Sequence, residues 1–309
     1  MSPFADPAAR ALDPAKFRDR RVTAEGDARA QVALDRLDTV WINTGTLCNL
    51  SCTSCYIESS PTNDALVYLS LAEVELFLDE AKAMNVREIG FTGGEPFMNR
   101  DMVAMMACAL GRGFEVLVLT NAMRPMRRFE EQLMALPREK LTMRVSLDHH
   151  SRAVHEAERG PGTWDRAVEG LQWLSAHGFR VAVAGRRLGG ESEESARAGY
   201  ARTFAQLGVR ADAGLVLFPE MDAAADVPEI SEACWTILDV SPSAMMCASS
   251  RMVVKAKGAE RPHVVACTLL PYEEEFALGG TLAGAHRKVM LNHPHCARFC
   301  VLGGASCSG

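Results

Sequence analysis

The chain has 309 residues, of which 48% are hydrophobic and 23% charged, with ten cysteines and a formal net charge of −6. That composition can bury a full core, which excludes general disorder, and the length suits one α/β barrel or one domain with a smaller partner. Net acidity without a basic stripe disfavours bulk nucleic acid and anionic membrane as partners.

The N-terminal stretch, residues 1–37, mixes charges and has no apolar core segment, and no run of about 18 apolar residues follows, so neither a signal peptide nor a membrane span is expected and the location expected is cytoplasmic. From about residue 38 to 218, short β-rich runs alternate with helical patterns. Six strands are predicted: Thr39 to Asn43, Glu88 to Thr92, Glu115 to Thr120, Thr142 to Leu147, Arg180 to Ala184 and Ala213 to Phe218. Their near-continuous apolar character suits parallel strands covered on both faces. Ser70 with Glu73 forms a capping box for a helix carrying Leu71, Val74, Phe77, Leu78, Ala81 and Met84. Thr163 is expected to cap a helix that ends at His177 and Gly178, and further helices are predicted over 100–112, 126–136 and 192–206.

Six βα units make either a doubly wound sheet or a partly closed barrel, and periodicity does not choose between them. Both place chemistry at the C-terminal ends of the strands, where the polar segments 44–58, 93–99, 121–125 and 148–162 fall. Residues 219–240 read as a connector. In the remaining 241–309, segments 252–256 and 263–265 suggest a β-hairpin, and a short helix is expected near 281–285.

In a reducing compartment the cysteines are read as metal ligands rather than disulfides. Cys48, Cys52 and Cys55 have the spacing C-x3-C-x2-C, and three thiolates leave one metal position open for chemistry. The competing readings are three buried cysteines, or a zinc site completed elsewhere. Cys108, beside Met102, Met105 and Met106, reads as a core residue, and Cys234 has no assignment.

This cysteine loop after the first strand, followed by Gly93-Gly94-Glu95-Pro96 after the second, resembles the radical S-adenosylmethionine (radical SAM) superfamily over residues 38–218. The resemblance implies a partial (β/α)6, TIM-like barrel. It implies that Cys48, Cys52 and Cys55 bind a [4Fe-4S] cluster whose fourth iron is chelated by S-adenosyl-L-methionine, and that Gly93, Gly94, Glu95 and Pro96 lie against that cofactor, largely through backbone. Asn121 in TNAM resembles the TNG that often ends the third strand. Ser146, Asp148 and Arg159 match positions that contact SAM, Arg186 or Arg187 less closely. Ser54 departs from the aromatic residue usual before the third cysteine, and Tyr56, just after that cysteine, is a further expected cofactor contact; the backbone contact to adenine usually made there would survive, without a stacking side chain at 54.

Cys247, Cys267, Cys296 and Cys300, around a hairpin and a short helix, resemble the small C-terminal Twitch and SPASM auxiliary-cluster domains, with the SPASM cysteine run incomplete. One auxiliary [4Fe-4S] cluster is therefore expected, against a zinc knuckle that uses His293 or His295. Cys307 is a further candidate ligand or acid–base group. The implied activity is reductive cleavage of SAM to a 5′-deoxyadenosyl radical that abstracts hydrogen from a peptide or protein for oxidative modification or crosslinking. The rivals are the same chemistry on a small-molecule intermediate and a non-catalytic iron–sulfur scaffold or sensor. The implied partners are the substrate and a low-potential electron donor such as flavodoxin or ferredoxin.

Overall fold

The computed structural model describes residues 12–220 and 225–304; Cys307 and residues 221–224 of the connector lie outside the described residues. In chain order the first half holds β1 (Gln31–Val32), β2 (Thr39–Asn43), α1 (Leu71–Ala83), β3 (Glu88–Thr92), α2 (Met102–Gly111), β4 (Glu115–Thr120), α3 (Arg124–Arg127), α4 (Glu130–Met134) and β5 (Leu141–Ser146). The second holds α5 (Arg152–Arg159), α6 (Thr163–Ala176), β6 (Arg180–Arg186), α7 (Glu193–Leu207), β7 (Gly214–Phe218), α8 (Cys234–Ile237), β8 (Ser250–Val254), β9 (His263–Val265), β10 (Ala277–Gly279) and β11 (Val289–Met290). No helix among the described residues is long and apolar enough to cross a membrane.

A nine-stranded sheet runs in the order β10-β9-β8-β2-β3-β4-β5-β6-β7. From β2 to β7 the order follows the sequence without reversal, and each neighbouring pair is parallel. With right-handed crossovers this is the winding of an α/β barrel rather than of a doubly wound sheet. The capping box on α1 forms as expected: Ser70 Oγ accepts from Glu73 N–H, and Val74, Phe77, Leu78 and Ala81 are buried.

The tail does not stand apart from this sheet. Its first strand, β8, begins at Ser250 and pairs in parallel with β2, Thr39 opposite Ser250 and Ile42 opposite Val253. The expected hairpin therefore extends the barrel by a seventh parallel strand before β9 turns antiparallel. β2, flanked by β8 and β3, is buried along its whole length. Arg251 on β8 is fully buried and donates to the carbonyls of Cys247 (2.6 Å), Ser250 (2.7 Å), Arg287 (3.0 Å) and Ala285 (3.1 Å). The N-terminal extension packs back as well: β1 pairs with β11, and the buried Arg29 binds Glu229 of the connector.

Four local expectations are corrected. The helix expected over 126–136 is two pieces, because Pro125 sets an earlier start and Phe129 leaves helical geometry (φ −108°, ψ 19°). The segment 148–162, read as a loop, contains α5; only His155 of that helix is buried, so it carries no apolar stripe for a pattern search to find. Gly162, with φ 71°, precedes α6 as its cap, and Thr163 is the first helical residue. Residues 281–285 form turns rather than a helix, in a segment broken by Gly279, Gly280 and Gly284.

Candidate active site

A cleft of about 1060 Å³, the space open to solvent included, lies among the C-terminal ends of the strands. Cys48, Cys52 and Cys55, from the loop after β2, form one side, with Tyr56 beside them. Gly93 and Gly94 after β3 and Asn121 after β4 come next; Ser146, Asp148, Arg159 and Arg186 close the polar wall. Leu119, Ala184, Phe218 and Leu269 supply apolar surface, and Thr268 and Leu269 directly follow Cys267. The tail thus contributes to the same cleft as the first cysteine loop.

Of the motif Gly93 to Pro96, only the two glycines reach this wall. A Cβ on Gly93, which has φ +140°, would lie 2.5 Å from the Gly45 carbonyl oxygen, and one on Gly94 would lie 2.2 Å from that of Leu47. The glycines are required by the backbone of the cysteine loop itself, onto which Gly94 N–H donates at Gly45 O (2.8 Å). Glu95 is buried and turns instead to β4, accepting from Thr120 Oγ1 and Asn121 N–H at 2.8 Å and from Phe97 N–H at 3.3 Å. Burial pushes its carboxyl up to about 7 against those hydrogen bonds. It braces the turn after β3 to the end of β4.

Asn121 Nδ2 donates to Asn49 Oδ1 of the cysteine loop at 2.9 Å. The following residue, Ala122, stands where TNG sequences have glycine, and it keeps a left-handed backbone (φ 57°). α6 packs directly on this turn: a Cβ on Gly170 would lie 1.8 Å from the Ala122 carbonyl oxygen.

The charged group centres on Asp148, 3% exposed. Arg159 grips its two oxygens at 2.7 and 3.1 Å, and Arg186 Nε lies 3.4 Å away. Burial alone would raise this carboxyl, but the two guanidinium groups outweigh it and hold the pKa down at about 2. Two cations against one carboxylate leave a cationic wall suited to an anionic group of a ligand. Arg186 was only weakly indicated by the sequence, yet it joins three parts of the site. Its Nη1 donates to Ser54 Oγ (2.7 Å), its guanidinium lies 4.6 Å over the Tyr56 ring, and Ser54 Oγ in turn donates to Glu158 on α5. The serine that departs from the usual aromatic residue therefore clasps the cysteine loop to α5 and β6.

His155 is fully buried below Asp148; its Nδ1 accepts from Asp148 N–H (3.2 Å), so the ring proton sits on Nε2, and Trp164 meets the ring edge-on at 5.5 Å. Beyond it, the Nε2 atoms of His149 and His150 each lie 3.1 Å from one oxygen of Glu191. Ser151 N–H donates to His149 Nδ1 (2.9 Å), which leaves the proton on His149 Nε2, facing Glu191. That arrangement is a hydrogen-bonded clasp between the loops after β5 and β6.

The four tail cysteines converge although 53 residues separate the first from the last in sequence, positions 247 and 300. Cys247 lies in the middle of a helical turn, Met246–Ala248, before β8, Cys267 follows β9, and Cys296 and Cys300 lie one turn apart on a π-helix, Cys296–Val301. Burial pushes the Cys296 thiol up, and Cys267, Cys300 and Cys247 add to it. Phe299, between the last two ligand candidates, meets Tyr56 edge-on at 5.5 Å. Cys108 is not in the core as expected: it is half-exposed on α2, between Glu75 and Arg112, while Met102, Met105 and Met106 fill the core. Cys234 is half-buried beside Ser231.

Fold and cleft together define an α/β protein whose mostly parallel sheet carries a thiol-lined, cationic ligand site at the strand ends. The model of the radical SAM superfamily matches residues 42–197, and the chain belongs to that superfamily. Proteins of this family use a [4Fe-4S] cluster and S-adenosylmethionine. The chain is 32% identical over 138 residues to the antilisterial bacteriocin subtilosin biosynthesis protein AlbA of Bacillus subtilis, covering 44% of this chain and 30% of AlbA. It is 31% identical over 132 residues to the mycofactocin maturase MftC of Mycobacterium tuberculosis, covering 43% and 33%. These matches span about a third of the length of the relatives. Among solved structures, SuiB of Streptococcus suis bound to precursor peptide SuiA superposes with a TM-score of 0.61 at 13% identity, over 82% of this chain and 66% of SuiB. anSMEcpe with bound AdoMet gives 0.59 at 13% identity, over 87% and 84%. At that identity the likeness is one of fold.

Proposed function

We propose that this chain is a radical SAM enzyme that oxidatively modifies or crosslinks a peptide or protein, with Cys48, Cys52 and Cys55 holding the SAM-binding [4Fe-4S] cluster and Cys247, Cys267, Cys296 and Cys300 an auxiliary one. The observation that carries the reading is the single cleft bounded by the three thiols of the first loop at one side and, at the other, by the residues that follow Cys267. Two of the cysteine-loop thiols are poor free anions: burial, and then Glu95, push Cys48 up to about 12, and burial raises Cys52, so thiolates at these two positions call for metal cations. The peptide reading draws on the relatives, since SuiB is bound to a precursor peptide and AlbA serves bacteriocin biosynthesis.

When bound, cluster and SAM together supply a carbon radical, by one-electron cleavage of the sulfonium, that removes hydrogen from an unactivated carbon. The chain's own residues do the rest. Gly93 and Gly94 keep the loop free of side chains where the cofactor would lie, and Arg159 and Arg186, held by Asp148, offer positive charge to its carboxylate. Leu119, Phe218 and Leu269 exclude water from the reacting carbon. We read residues 38–218 as the catalytic unit, with 241–309 as its cluster-bearing extension and an external low-potential protein as electron donor.

The test is anaerobic reconstitution, dithionite, SAM and quantification of 5′-deoxyadenosine. The wild type is expected to cleave SAM, while Cys48→Ala/Cys52→Ala/Cys55→Ala abolishes cleavage and keeps about half of roughly eight irons per chain. A fully iron-loaded wild type that forms no 5′-deoxyadenosine, or a triple variant that still forms it, overturns the proposal. Deuterium transfer from labelled candidate peptides into 5′-deoxyadenosine then tests the substrate class.

A further inference from the structure

Arg251 is a fully buried cation that no carboxylate among the described residues balances. Its guanidinium spends its hydrogen bonds on four main-chain carbonyls, those of Cys247, Ser250, Ala285 and Arg287, and no Asp or Glu among the described residues pairs with it, unlike Arg29, the other fully buried arginine, which binds Glu229. An uncompensated charge at such depth is penalised by desolvation. Carbonyl dipoles offset part of that cost, but a methionine would fill the position without incurring it. The groups able to carry negative charge that act on it are the thiols of Cys247 and Cys267. The same side chain also holds the Cys247 carbonyl at 2.6 Å, so cation and ligand candidate are fixed to each other by a hydrogen bond.

We propose that Arg251 is the built-in counter-charge of the tail cysteine site, a positioning residue that raises the reduction potential of the cluster bound there. The inference rests on the reading that Cys247, Cys267, Cys296 and Cys300 hold an iron–sulfur cluster. Four thiolates on such a cluster give a net anion in a dry interior, and one-electron reduction adds a further negative charge without a proton. A fixed guanidinium stabilises the reduced state more than the oxidised one, because the attraction grows with the charge it faces. Position supports the assignment: β8 carries Arg251 in register with β2, Val40 opposite Arg251, so the cation is locked to the barrel sheet rather than to a mobile loop. Its guanidinium is held in turn by the four carbonyls.

The experiment uses the full chain with Cys48→Ala/Cys52→Ala/Cys55→Ala as parent, so that only the tail site holds iron, and reads its midpoint potential by dye-mediated titration followed by electron paramagnetic resonance. Arg251→Gln is expected to move the midpoint to lower potential by at least 59 mV, a tenfold change in the one-electron equilibrium. Arg251→Lys, which keeps the charge but not the four-way fork, is expected to recover most of that shift. Retention of the cluster by the lysine variant alone, at the parent potential, also supports the proposal, since charge and not the fork is then what the site requires. An iron-loaded Arg251→Gln protein at the parent potential overturns it, as does loss of the cluster from both variants, which would make carbonyl bonding the whole role. A parent without iron overturns the cluster reading itself and this inference with it.

Discussion

His155 makes stability respond to pH in a calculable way. Burial, with Arg159 next, lowers its pKa from 6.5 to about 4 in the folded chain. The sign follows from the neutral ring being the folded form. Stability from this group is present above pH 6.5, declines as the unfolded chain takes up a proton that the folded chain refuses, and is lost in full by about pH 4, roughly 3 kcal/mol in all. Between pH 7.5 and pH 5.5 the loss amounts to about 1 kcal/mol. The structural cause is specific: an imidazolium would have to donate from Nδ1, the atom that accepts from Asp148 N–H, and Arg159 would repel it. His155→Asn keeps an acceptor for that N–H and removes the titration; its lost packing on Trp164 is the same at both pH values and cancels. Anaerobic urea unfolding of wild type and variant at pH 7.5 and 5.5 should therefore show the wild type losing about 1 kcal/mol more than the variant. Parallel pH dependences would refute the reasoning.

Asp148→Asn strips the carboxylate from two buried guanidinium groups, and urea unfolding at neutral pH is expected to show a loss of about 3–5 kcal/mol; a loss below about 1 kcal/mol would mean that Arg159 and Arg186 find other partners. Gly94→Ala forces a methyl within 2.2 Å of the Leu47 carbonyl oxygen, so equilibrium dialysis should find SAM binding weakened at least tenfold while the iron of the tail site remains. Unchanged binding would show that the loop yields cheaply. Ala122→Gly relieves a left-handed alanine, worth about 1–2 kcal/mol, and forfeits one buried methyl, about 0.8 kcal/mol. The thermal midpoint should hold or rise, and a drop of more than a few degrees contradicts the strain assigned to that turn.

The six strands from β2 to β7 were legible because they are apolar on both faces and bounded by turns. The cysteine triad was legible because its ligand candidates lie within one short loop. What escaped reading depends on contacts distant in sequence. Thr39 pairs with Ser250, and no periodicity in either segment records that partner, so the tail was expected as a separate unit. Ser54 is joined to Arg186 across 132 residues and to Glu158 across 104, and nothing in the spacing of the three records that they meet. α5 was missed for a different reason: its helix forms on polar residues and buries one histidine. Glu95 was expected to meet the cofactor largely through backbone, and the motif carries no sign that its side chain braces the β3–β4 junction.

The pairing of β2 with β8 bears on how the chain reaches its fold. A polypeptide synthesised from its N-terminus exposes β2 early, can add β3 to β7 to one side of it, and leaves the other edge with unpaired N–H and C=O groups until residue 254 has emerged. Contacts so far apart along the chain close slowly. An interior strand of the finished sheet is thus an edge strand until β8 has been made, and the segment that covers it is the one that brings Cys247 and Cys267 with it.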